Sequence, residues 1–120
     1  QSGDNNQALV TQSSDDNVSI ISQSGDDNIA TVLQEDDEDN SANISQTGED
    51  NTATVLQIGA DNTADITQTG DENVAENVTQ IGDDNDVSID QTGDENTANA
   101  VLQVGNGNTA DLDQTGDDNL

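Results

Sequence analysis

The stretch Asn51-Thr52-Ala53-Thr54-Val55-Leu56-Gln57-Ile58-Gly59-Ala60-Asp61-Asn62-Thr63-Ala64-Asp65-Ile66-Thr67-Gln68 decides the fold. From Asn51 to Gln57 every second residue reads Asn, Ala, Val, Gln, and from Asn62 to Gln68 the same positions read Asn, Ala, Ile, Gln. Strict alternation is the pattern of a strand that buries one face. The intervening Ile58-Gly59-Ala60-Asp61 is turn chemistry, with a glycine and small or acidic residues. One unit is therefore a strand and a turn, together an arc.

The same arc fills the chain. Glutamines fall at Gln1, Gln12, Gln23, Gln34, Gln46, Gln57, Gln68, Gln80, Gln91, Gln103 and Gln114. Each is followed by an asparagine: Asn6, Asn17, Asn28, Asn40, Asn51, Asn62, Asn73, Asn85, Asn96, Asn108 and Asn119. Composition alone points to disorder, with 27 Asp and Glu, no Lys, Arg or His, no aromatics and 28% hydrophobic residues in 120. A disordered chain has no reason to hold such a register. With so little apolar material an ordinary globular core is out of reach, but stacked repeats can build one jointly.

The outward positions show that the true period is two arcs. In one set they are apolar: Ile29 and Leu33, Leu56 and Ile58, Val74 and Ile81, Leu102 and Val104. In the alternate set they are polar, as in Thr63, Asp65, Thr67 and Thr69, with only Val18 and Ile20 in the first pair of arcs blurring the rule. A coil is thus two unlike strands in 22 or 23 residues. Folded face to face, the strands meet in opposite directions, placing Val or Ile against Val or Ile and each Ala opposite a Gln. The expected core is Ala30, Val32, Ala42, Ile44, Ala53, Val55, Ala64, Ile66, Val87, Ile89, Ala110 and Leu112. Parallel stacking of coils ~4.8 Å apart then aligns Gln12 to Gln114 and Asn17 to Asn108 into amide ladders that control self-assembly. The predicted fold is all-β, a β-solenoid of about five two-strand β-arch coils over residues 1–120, forming one array able to extend as a cross-β fibre.

Two arcs, Asn73 to Gln80 and Asn96 to Gln103, carry an extra residue inside the strand, read as β-bulges. A third insertion, in Glu35-Asp36-Asp37-Glu38-Asp39, reads as a longer acidic turn. The strip Leu33, Leu56, Ile58, Ile81, Leu102 and Val104 is expected to form a lateral contact, since exposed apolar surface in so charged a chain is a liability.

Several function classes fit poorly. Without cations the chain has nothing to neutralise phosphates, so nucleic acid is not an expected partner, and an anionic membrane surface would repel it. No apolar run approaches the ~20 residues needed for a membrane-spanning helix, and no leader precedes Gln1, so the chain reads as a soluble mature or excised piece without membrane insertion. Without Cys there is no disulfide framework or thiolate metal site. Catalysis would have only carboxylates and hydroxyls to work with, and no residue breaks the repeat to make a unique pocket. The expectation is no enzyme, no cofactor and no metal. Two alternatives remain open: an acidic calcium-binding solenoid, although EF-hand and β-roll spacings are absent, and an ice- or sugar-binding Thr face, although Asp65, Asp86, Asp90, Asp111 and Asp113 interrupt it.

The recurring Asn-X-Ala-X-X-X-Gln-X-Gly-X-X-Asn resembles the curlin repeat of curli subunits over essentially the whole chain. Ser14 and Asp36 stand where that pattern has Gly, and Ser19 and Val87 where it has Ala. The resemblance implies a secreted subunit that polymerises with itself into an extracellular amyloid fibre of the biofilm matrix or cell surface. As partners it implies a nucleator and outer-membrane secretion machinery.

Overall fold

A computed structural model describes residues 1–120 and contains strands and turns only. The strands are β1 (Gln7–Gln12), β2 (Val18–Ser24), β3 (Ile29–Glu35), β4 (Ser41–Thr47), β5 (Thr52–Ile58), β6 (Thr63–Thr69), β7 (Val74–Ile81), β8 (Asp86–Thr92), β9 (Thr97–Asn99), β10 (Leu102–Val104) and β11 (Thr109–Thr115). Odd and even strands segregate. One sheet runs β1-β3-β5-β7-β10 with β9 also on β7, and the other runs β2-β4-β6-β8-β11, except that the last strand is odd-numbered because β9 and β10 are two halves of one arc. Every pairing is parallel; inward Gln lies on Gln wherever both strands reach that position, and Ala lies on Ala, as in Ala42↔Ala64 and Gln46↔Gln68, except where Ser19 or Val87 takes its place. This is a β-solenoid of about five coils, 34 × 26 × 14 Å in extent.

A single apolar cluster runs up the axis: Ala30, Val32, Ala42, Ile44, Ala53, Val55, Ala64, Ile66, Ala75, Val78, Val87, Ile89 and Ala98. Ala110 and Leu112, expected in the core, are only half-buried, because β11 ends its sheet and has a neighbour on one side. For the same reason Ala8 and Val10 of β1 are exposed. Ala75, Val78 and Ala98 belong to the core although the bulges hide them from simple spacing. They are recovered by counting forward from Asn73 and Asn96 and backward from Gln80.

The bulges lie where the extra residues are. Pairing of β5 with β7 slips between Ala53↔Ala75 and Val55↔Val78, and the surplus residue Asn77 takes φ 56°. In the next coil Ala100 does the same at φ 63°, splitting β9 from β10. Left-handed backbone suits Asn better than Ala, and Asn77 also donates to the Asn99 side chain at 2.9 Å. Stacking one bulge on the other lets both coils return to register before Gln80 and Gln103, which pair directly.

The longer acidic turn at residues 35–39 is looser than the rest. Its bonds to the next coil, Gly59 N to Glu35 O at 3.3 Å and Asp61 N to Glu38 O at 3.2 Å, are the longest between turns. Asp36 and Ser14, without the flexibility of glycine, adopt φ 80° and 94° there. Both substitutions for Gly fall in the same column, beside the insertion that accommodates them.

One core position is imperfect. Ser19 sits inward on β2 opposite Ala42 in the ladder, and its hydroxyl is buried without a partner. An unsatisfied buried hydroxyl costs about 1–3 kcal/mol. Ser19→Ala is therefore expected to raise stability by roughly 1 kcal/mol, read as a higher denaturant midpoint with an unchanged slope; a lower midpoint would show that the hydroxyl is solvated.

Candidate functional site: the amide ladders and the open coil edges

The glutamines form two columns. Each Nε2 donates to the Oε1 of the glutamine one coil onward: Gln23 to Gln46 at 2.9 Å, Gln34 to Gln57 at 2.8 Å, Gln57 to Gln80 at 2.9 Å, Gln91 to Gln114 at 2.7 Å. The second Nε2 hydrogen crosses the core to the backbone carbonyl of the first residue of the preceding strand. Examples are Gln46 to Ile29 O at 2.9 Å, Gln57 to Ser41 O at 2.9 Å and Gln80 to Thr63 O at 2.8 Å. The apolar packing between the two sheets has no direction. These glutamines supply hydrogen bonds that clamp one sheet to the other at a fixed register.

The asparagines do the corresponding work at the turns, with the donor direction reversed. Asn51 Nδ2 donates back to Asn28 Oδ1 at 3.0 Å and forward to Gly70 O at 2.8 Å, while its backbone N–H also donates to Asn28 Oδ1, at 3.1 Å. Asn62, Asn73 and Asn85 repeat the arrangement. Both amide hydrogens and both oxygen lone pairs are used, so a fully buried polar column carries no desolvation deficit. The orientation of each amide is fixed, because a backbone N–H can point only at an oxygen and a backbone carbonyl only at an N–H.

Burial follows position in the stack. Gln23, Gln34, Gln46, Gln57, Gln68, Gln80, Gln91, Gln103 and Gln114 are buried, as are Asn28, Asn40, Asn51, Asn62, Asn73, Asn85 and Asn96. Gln12 is exposed and Asn17 and Asn108 are half-buried, since each lies in an end coil. The two edges are unlike. Toward residues 1–17 the terminal Gln oxygens have no incoming donor; toward residues 103–119 the terminal Asn oxygens have none. What one edge lacks the other can supply.

Glycine sets the distance between turns. Those from Gly3 to Gly93 have φ between 103° and 122°, and a Cβ would lie 2.0–2.3 Å from the carbonyl oxygen of the glycine one coil onward. The residue before each Asn, usually acidic, is left-handed as well, as in Asp27, Asp50, Glu72 and Glu95 at φ 56–58°. This conformation turns the acids outward in columns. The turns entering the larger sheet thus carry Asp26, Asp27, Glu49, Asp50, Asp71, Glu72, Asp94, Glu95, Asp117 and Asp118 on one edge.

Crowding of that edge raises the pKa of Glu95, chiefly through the Asp118 carboxylate and then that of Glu72. Because the folded pKa lies above the unfolded one, Glu95's contribution to stability is fully present below the unfolded carboxylate pKa. It is lost as pH rises through the raised value. Lowering the pH from neutral toward the pI of about 4.1 is expected to raise the unfolding midpoint. Glu95→Gln should gain stability at neutral pH and lose that advantage in acid; an advantage independent of pH would refute the repulsion.

The strip expected at the lateral surface is less continuous than its sequence suggests. Across the larger sheet the rungs read Thr11, Leu33, Leu56, Thr79 and Leu102, and beside them Glu35, Ile58, Ile81 and Val104. Thr79 breaks one row and Glu35 begins the other. Leu102 and Val104 are 62% and 63% exposed, whereas Leu33, Leu56 and Ile58 are half-covered by their neighbours. Few acids reach this face, Glu76 among them, against Asp65, Asp86, Asp90, Asp111 and Asp113 on the opposite one.

A family model described as the curlin associated repeat matches residues 3–35, 38–70, 59–93 and 82–116. No curated protein and no solved structure matches the chain.

Proposed function

The chain belongs to the curlin-associated-repeat family, and from that premise we propose that it is a structural subunit of an extracellular fibre, assembled by stacking coil on coil. The observation that carries this reading is that the two sides of every coil are complementary: Gln Oε1 and the Asn N–H groups face one way, and Gln Nε2 and Asn Oδ1 face the other, as where Gln57 Nε2 meets Gln80 Oε1 and Asn51 donates to Asn28 Oδ1. Such a contact is heterologous and does not close, so repetition gives a filament. The work is done by the ladders Gln12 to Gln114 and Asn17 to Asn108. Self-association is the partner interaction; a nucleator and an outer-membrane export channel are the further partners that family membership suggests, with the cell surface or biofilm matrix as the location. Negative-stain microscopy and fibre diffraction test the reading. Filaments with a meridional reflection at ~4.7 Å are expected, and a monomer that persists at high concentration would overturn it.

Within that fibre, Leu33, Leu56, Ile58, Ile81, Leu102 and Val104 form a lateral contact with a second filament of the same chain. Charge selects the occupant: it is the face on which two copies of so acidic a protein meet with fewest carboxylates opposed. The face of five short strands is small, about 500 Å² per copy from strand dimensions, below what holds a lone dimer together. Pairing should therefore appear between filaments and not between subunits. Leu56→Thr with Leu102→Thr should leave single filaments of unchanged diffraction; bundling as in the parent chain would exclude this face.

A further inference from the structure

The turn at Gly105-Asn106-Gly107 departs from its column. In the coils below, the positions of Asn106 and Gly107 hold Asp83 and Asp84, and in the coil before that Ala60 and Asp61. This is the chain's one Asn-Gly pair, and both residues are exposed. Gly107 has φ 68°, and nothing within 4 Å would meet a side chain there, so neither space nor close approach demands glycine. Asp84 holds the same left-handed conformation one coil below, at φ 57°.

We infer that Asn106 is a site of spontaneous deamidation whose rate is governed by stacking. The Gly107 nitrogen attacks Cγ of Asn106; an N–Cγ bond forms, the Cγ–Nδ2 bond breaks, and Nδ2 leaves as ammonia with the proton given up by Gly107. Water then opens the resulting succinimide at one carbonyl to give aspartate or at the other to give isoaspartate. The absence of a side chain on Gly107 leaves its nitrogen free to approach, and this is where glycine differs from the Asp of the other coils.

In the folded coil every participant is held elsewhere. The Gly107 N–H donates to Asp83 O at 2.9 Å. Asn106 Oδ1 accepts from Asp83 N at 3.2 Å, and Nδ2 donates to the Asp83 carboxylate at 3.3 Å. Three bonds to one residue of the preceding coil keep the nucleophile and the amide apart, so reaction requires this turn to unstack. The two products differ in consequence. Aspartate fits the column, as Asp83 does one coil below. Isoaspartate lengthens the backbone by a methylene and cannot hold the Gly107 to Asp83 bond, which unseats the turn of the last coil. A chain that lingers unstacked thus accumulates a lesion in this turn.

The test compares the whole chain folded in buffer with the same chain held unfolded in guanidinium chloride, at equal mildly alkaline pH and temperature, with peptide mapping over time. Aspartate and isoaspartate should accumulate at residue 106 in the unfolded chain and at least about tenfold more slowly in the folded one. Gly107→Asp, which matches the column, should fold and sharply slow the reaction under both conditions. Equal rates in the two states would overturn control by stacking; faster modification at another Asn, or undiminished modification in Gly107→Asp, would overturn the site.

Discussion

Replacing Gln57 and Gln80 together by leucine is expected to dissolve the middle of the stack. Gln57 Nε2 donates to Gln80 Oε1, Ser41 O and Asn62 O, and its own oxygen accepts from Gln34. Leucine has the volume but none of these bonds: Ser41 O and Asn62 O each lose one, Asn62 O keeping the Ser41 N–H, and an amide hydrogen of Gln34 is left buried without a partner at about 1–3 kcal/mol. A single substitution should cost roughly 3 kcal/mol. The pair should cost roughly 4–5 kcal/mol, less than twice as much, because the bond between the two glutamines is lost only once. Outward changes such as Thr63→Ser and Thr67→Ser should stay within about 0.5 kcal/mol. Denaturant midpoints and filament growth rates measure both sets. If the outward pair proved the more damaging, the inward and outward faces would have to be exchanged.

Gly48→Ala should be as severe by a different route. The added Cβ would lie 2.1 Å from Gly70 O and 2.7 Å from Gly70 C, backbone atoms that no rotamer can move, at φ 122° where L side chains are strained. Separating the turns breaks the bonds from Gly70 N to Thr47 O and from Glu72 N to Glu49 O, both 2.9 Å. It also breaks the bond from Asn51 Nδ2 to Gly70 O at 2.8 Å. A loss of about 4 kcal/mol is expected from strain and broken bonds combined. Gly116 has the same backbone but no coil beyond it, and its Cβ would find only Asn119 Nδ2 at 3.9 Å. Gly116→Ala should therefore fold with a penalty of about 1–3 kcal/mol from backbone strain alone. If further coils add at that edge, the same variant should fold and yet retard filament growth. Growth at the parent rate would mean that stacking does not continue there with the spacing found inside the chain.

Much of the architecture was legible because the repeat reports each constraint many times over. The inward alternation at Ala53, Val55 and Gln57 recurs in arc after arc, and parallel pairing of like residues follows, since only in-register stacking lets one amide satisfy the next. Less legible was everything that depends on how many neighbours a residue has. Gln12, Ala110 and Leu112 obey the pattern as well as Gln57, Ala64 and Ile66 do, yet they lie open because their coils are covered on one side. Ala75, Val78 and Ala98 obey it only once the bulges at Asn77 and Ala100 are placed.

Repeat length, strand and turn positions, the two unlike faces and the coil-by-coil register were determined by the sequence itself, because period-two burial and turn residues are local signals that repetition amplifies. The tertiary structure alone decided the opposed donor directions of the Gln and Asn columns, the clamp from each Gln to a carbonyl of the facing sheet, and the close approach of turns that excludes a Cβ at Gly48. These depend on where the backbone groups of one coil fall against the next, and residue identity says nothing of that placement until the coils are stacked.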